Sequence, residues 1–116
     1  MESVYDLYRR GCSLLDHGDH QAAIVPLSKA RDLEPDKASI REALGIAYFR
    51  MRRWEEAEAE FRTLLELSPV NDYAHYALGR CLEQQGKQAE ANGHYKLASS
   101  LRPGSKQYRA RILDLE

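Results

Sequence analysis

The feature that most limits what this chain can fold into is a repeat. Gly11, Gly45 and Gly79 are spaced by 34 residues, and so are Ala23, Ala57 and Ala91, Leu33, Leu67 and Leu101, and Pro35, Pro69 and Pro103. Three further columns keep side-chain character at the same step: Leu14, Tyr48 and Leu82; Leu27, Phe61 and Tyr95; Ala30, Leu64 and Ala98. Seven columns at one period specify a supersecondary unit used three times, and such units bury their apolar faces by stacking on one another. The single core that 116 residues could otherwise build gives way to a row of nearest-neighbour interfaces.

Within each unit the hydrophobic period is helical and is broken twice. Leu44, Gly45 and Tyr48 make one stripe, with the glycine where a neighbouring backbone must come close. Arg52-Arg53-Trp54 interrupts it, as Gly18 and Gly86 do in the other units. A second stripe follows at Ala57, Phe61, Leu64 and Leu67, and Ser68-Pro69 ends it because the residue before a proline is pushed out of the α region. Each unit reads helix, tight turn, helix, stop.

These residues resemble the tetratricopeptide repeat family, whose signature runs aromatic or Leu, Leu-Gly, Tyr, Ala, Phe, Ala and Pro over one unit. Unit two carries it as Leu44, Gly45, Tyr48, Trp54, Ala57, Phe61 and Pro69. The resemblance covers about residues 4–105 and implies an all-α, right-handed superhelix (an α-solenoid) of three antiparallel helix pairs. The repeats fall at about 4–37, 38–71 and 72–105, within one domain of residues 1–116. After Pro103-Gly104, Ser105 can cap a final helix at about 105–116, with Tyr108, Ile112 and Leu115 on one face and Lys106, Arg109 and Arg111 toward water. Leu115-Glu116 can also be read as a cloning remnant.

The departures from the signature carry their own expectations. Where the family sets a large apolar residue early in the first helix, unit one has Leu7, but units two and three have Arg41 and His75. Unit one has Arg10 where the others have Leu44 and Leu78. These seams are expected to pack less tightly. Pro26 lies inside the second helix of unit one and removes a backbone donor, which predicts a kink or a loosened first turn.

Charge and composition remove several function classes. With 17 basic against 18 acidic side chains, a formal charge of -1 gives no long-range positive field for nucleic acid. No window approaches the ~20 apolar residues of a membrane span, and Met-Glu-Ser-Val-Tyr-Asp lacks a secretory layout, so the expected location is cytoplasmic. Asp16-His17-Gly18-Asp19-His20 reads as turn residues, not a metal site, and His75 and His94 read as isolated seam or surface residues. Cys12 and Cys81, two helix pairs apart, are expected to be free thiols. Glu55, Glu56, Glu58 and Glu60 read as a solvated face opposing the Arg50, Arg52 and Arg53 turn. No nucleophile and base converge, no glycine-rich phosphate loop is present and no cofactor is implied, so the chain is not expected to be an enzyme.

The tyrosines point to a surface. Of seven, the repeat signature uses Tyr48 and Tyr95, and the final helix uses Tyr108. Tyr5 and Tyr8 in unit one and Tyr73 and Tyr76 in unit three remain, each pair on one helix face and the two pairs 68 residues apart. The same face continues through Cys12 and Leu15, Ile46 and Phe49, and Arg80 and Glu83, about 100° around the helix from the Leu-Gly-Tyr stripe. By the family resemblance, first helices line the concave side of the superhelix, where peptides commonly bind. Family members that grip a chaperone's C-terminal carboxylate place Lys, Asn and Arg at positions that here hold Tyr8, Cys12, Ala43, Tyr73 and Ala77. That clamp is absent.

The expectation is therefore a non-enzymatic protein-interaction module that takes a short apolar or aromatic-bearing peptide or helix of a partner protein, oriented by Glu42, Arg50, Arg80 and Glu83. The alternatives are a self-associating assembly protein that uses the same face against a second copy, or a chaperone-like holder of an unfolded segment.

Overall fold

A computed structural model describes residues 1–112. Among these residues seven helices follow one another: α1 (Val4–Asp16), α2 (His20–Leu33), α3 (Ala38–Arg50), α4 (Trp54–Leu67), α5 (Asp72–Gln84), α6 (Gln88–Leu101) and α7 (Lys106–Arg111). No strand occurs among the described residues. Helix starts recur at 4, 38, 72 and 106, so α7 begins in the register of a fourth unit. The N-caps keep the same step. Ser3, Asn71 and Ser105 each accept a backbone N–H with the side chain, and Ser3 and Asp6 form a reciprocal capping box. Leu115, and with it the outer part of the expected capping helix, lies outside the described residues.

Each helix packs on the next in sequence, and α1 also meets α3, so the molecule extends over 55 × 24 × 21 Å as an α-solenoid. The buried side chains form one cluster over α1–α3 and another over α4–α7, with Tyr48 against both. The recurrent glycine works here by close approach. A Cβ on Gly11, Gly45 or Gly79 would lie 2.4 Å from Leu27, 2.6 Å from Phe61 and 2.5 Å from Tyr95. What comes close is a large side chain of the second helix, not the backbone that the sequence reading expected.

The turns between paired helices need a left-handed residue. Gly18 and Gly86 supply it at φ 79°, while Arg52 adopts φ 61° in unit two.

Two departures from the family signature, Arg41 and His75, turn out to be contacts. Residues 7, 41 and 75 each share a column pair with residues 26, 60 and 94. In unit one the pair is Leu7 and Pro26, both buried. In unit two it is an ion pair, in which Arg41 Nη1 donates to Glu60 Oε2 at 3.0 Å. In unit three it is His75 and His94, stacked with their Nδ1 atoms 3.2 Å apart. The seams expected to be loose are therefore polar and satisfied, and the two histidines are not isolated. The same first-helix residue also seals the preceding turn: Arg41 donates to the Pro35 carbonyl, His75 Nε2 meets that of Pro69, and Arg109 donates to that of Pro103.

α2 runs through Pro26 for 14 residues, as long as α4 and α6, with the ring fully buried. The proline removes one backbone donor and sets its ring against the carbonyl of Ala22, and the helix continues through it. One expectation is corrected. Glu60 is not on a solvated face. It is buried, and its other oxygen accepts from Arg31 at 3.0 Å, so it ties α2 and α3 to α4. Glu58 likewise joins Arg62 and Gln85, and burial is outweighed by these partners and Lys87, so its carboxyl titrates below the ordinary range.

Candidate functional site

The first helices build one continuous surface. Between α1 and α3 lies a depression of about 180 Å³ lined by Tyr8, Cys12, Leu15, Asp16, Ser39, Glu42, Ala43, Ile46 and Arg50. Between α3 and α5 lies a second, of about 100 Å³, lined by Ile46, Phe49, Arg50, Phe61, Tyr73, Tyr76, Ala77 and Arg80. Ile46 and Arg50 line both, so the two depressions adjoin across α3 and are taken together as the groove. All lining residues come from first helices except Phe61, which reaches through from α4 at the place Gly45 leaves open.

Ten of the twelve residues singled out in the sequence line this groove. Tyr5 does not. It is 67% exposed at a separate depression with Val4, Tyr8 and Ile40, and Arg9 lies over its ring. Glu83 does not either, because it accepts from the Tyr95 hydroxyl and from Arg111, both at 3.2 Å, and so anchors α7. Leu15 lies mainly in the core of unit one.

Tyr76 corrects the tyrosine accounting. It is 6% exposed, packs on Tyr95 at 5.9 Å and Tyr108 at 5.0 Å, and its hydroxyl accepts from Gln107. It is a core residue under the final helix, with only an edge in the groove, and is not surplus to the fold. Tyr73 is the more open member, packed edge-on against Phe61. Ser39, Ala43, Ala77 and Asp16 line the groove without having been singled out for it. They stand on the predicted helices but carry no aromatic or basic signal, and Phe61 had been absorbed by its core column.

The groove's electrostatics are uneven. Glu42 is half-buried without an ion pair among the described residues, and burial pushes its carboxyl above the usual range. Burial likewise raises the Tyr8 phenol, followed by Cys12, and raises that of Tyr73, followed by Glu42. At the other end, the Arg80 guanidinium lies 5.3 Å over the Phe49 ring, and Phe49 stands edge-on to Trp54 at 4.9 Å. The five places that correspond to the carboxylate clamp all face these depressions, and none brings a cation or an amide. Among the described residues no three His, Cys, Asp or Glu side chains converge as metal ligands, and no helix is long and apolar enough to cross a membrane.

Helix pairs at a 34-residue step define the class of helical-repeat solenoids. Family models described as tetratricopeptide repeat match residues 42–106 and 14–69, and the chain belongs to that family. It is 29% identical over 89 residues to Superkiller complex protein 3 of Mus musculus and, equally, of Homo sapiens, and spans only 6% of their length. Among solved structures it is similar to the first repeat domain of Spaghetti (RPAP3) bound to the HSP90 peptide SRMEEVD, with TM-score 0.90, 21% identity, and 94% of this chain and 86% of that one covered. It is similar also to MamA, with TM-score 0.92, 26% identity, and 95% and 64% covered.

Proposed function

We propose that this chain is a protein-interaction module whose first-helix groove receives a short apolar segment of a partner protein. The observation that carries this reading is the pair of adjoining depressions on the first helices. They share Ile46 and Arg50 and are walled in part by aromatic rings that stay partly open although the core columns are filled. Partly exposed aromatic walls with polar groups at the rim suit a partner's apolar side chains. The peptide held by the Spaghetti domain supports the mode of use. The ligand is of another kind, because the clamp positions here are Tyr8, Cys12, Ala43, Tyr73 and Ala77. Cys12 and Cys81 are free thiols, which suits a reducing compartment and, on this reading, the cytoplasm.

Ile46→Glu tests it. The substitution puts a carboxylate where the two depressions join, on a side chain that is only half-buried. A peptide selected on the wild-type chain from a random display library should bind the variant at least tenfold more weakly, with far-UV circular dichroism unchanged. Equal binding by a folded variant overturns the reading.

A further inference from the structure

The charges in the groove are unevenly placed, and their placement describes an occupant. Arg80 is the telling residue. The other half-buried arginines with groups inside the fold reach carboxylates: Arg31 and Arg41 reach Glu60, Arg62 reaches Glu58 and Glu90, and Arg111 reaches Glu83. Arg80 reaches none among the described residues. Its hydrogen bond is a long one, 3.4 Å from Nη1 to the Tyr76 hydroxyl, and its Nε is buried with no acceptor. Buried donors are normally paired, and beyond the buried Nε the Nη groups, with only that one long bond, are the donors an acceptor from outside can meet in charge-assisted geometry. Arg50, exposed and also without an ion pair among the described residues, borders the same cavity.

Size narrows what enters beside it. A closed apolar cavity of about 150 Å³ takes up benzene, and the open one between α3 and α5 offers about 100 Å³. That volume suits a branched aliphatic side chain better than a whole ring. Toward α1 the balance turns acidic, because Glu42 and Asp16 line the neighbouring depression against the one shared cation, Arg50, and Glu42 has no ion pair among the described residues.

We infer that the groove selects a segment of another protein in which Leu, Ile or Val enters the α3/α5 cavity, an adjacent side-chain carboxylate pairs with Arg80, and a basic residue on the α1 side faces Glu42. This deepens the groove reading and rests on it. The carboxylate subsite is built on Arg80 and Phe49, apart from the five positions of the family clamp.

The test is selection of random twelve-residue peptides, displayed as fusions so that every carboxylate offered is a side chain, on the full wild-type chain and on Arg80→Met, which keeps the apolar stem. Wild-type selections should be enriched in Asp or Glu beside an aliphatic residue, and Arg80→Met selections should keep the aliphatic residue and lose the acid. In the strongest selected peptide, replacing the acid by its amide should weaken wild-type binding about tenfold and Arg80→Met binding less than twofold. A Glu42→Lys chain should lose the preference for a basic residue. If the amide costs nothing while the aliphatic residue remains essential and Ile46→Glu abolishes binding, the groove stands and the carboxylate subsite is overturned. If selected peptides bind Ile46→Glu unchanged, or no sequence is enriched, both readings are overturned.

Discussion

Glu60 is the residue on which units one and two depend together. Its carboxylate is 7% exposed and takes one 3.0 Å bond from Arg31 and one from Arg41, joining α2 and α3 to α4. Glu60→Gln keeps the shape, but it turns an amide N–H toward one guanidinium and leaves both cations without a counter-charge. Removing one partner from a buried ion pair costs about 3–5 kcal/mol. Arg31 and Arg41 are 27% and 17% exposed, so water can solvate them in the variant, and the expected loss falls to about 2–3 kcal/mol. For a domain of this size that lowers Tm by about 10–20 °C. Urea and thermal unfolding followed by far-UV circular dichroism measure it, with the exposed Glu66→Gln as a control expected within about 0.5 kcal/mol of wild type. A Glu60→Gln chain no less stable than that control would refute the view that the polar seam holds these units together.

Three further predictions follow from local geometry. Arg52→Gly should stabilise by about 0.5–1 kcal/mol, because relief of a left-handed φ of 61° exceeds the extra unfolded-state entropy of glycine; Gly86→Ala, which meets no atom within 4 Å, should cost a similar amount through the backbone alone. Burial, then His75 and Arg62, hold His94 below the ordinary histidine range, against the pull of Glu90 and Glu58. The unfolded chain therefore takes up that proton first as pH falls below about 6.5, so stability should drop from there through the folded value; His94→Gln should flatten that drop, and an unchanged slope contradicts the pairing. Burial pushes the Cys81 thiol up to about 12, whereas Cys12 is half-buried in the groove. Native labelling should modify Cys12 alone, more slowly when a peptide occupies the groove, and should reach Cys81 only on unfolding.

The helical layout was legible because the period constrains both ends of every element. The glycine, alanine and proline columns place the turns, and the Ser68-Pro69 stop coincides with the end of α4 at Leu67. What escaped the sequence were long-range partners. Arg41 reads as a defect until Glu60, 19 residues on, is seen to answer it, and Pro26 reads as a helix breaker until its column proves to be that same partner position. Periodicity assigns Tyr76 a face but not a neighbour, and its neighbour Tyr108 belongs to α7, beyond the third unit. Glu83 failed as a groove residue for the same reason, through Arg111. Arg50, Arg80 and Phe49 line a depression on the face expected of them because first-helix faces follow directly from 3.6-residue spacing.

The central claim is that the partner lies along the first helices. Side-chain NMR of the whole chain, titrated with a selected peptide, tests it most directly. The account predicts shift changes at Tyr8, Ile46, Phe49 and Tyr73, which line the groove, and none at Val25, Val70 and Leu97, which are exposed elsewhere. Changes confined to Val25, Val70 and Leu97, with the groove residues unmoved, would contradict it.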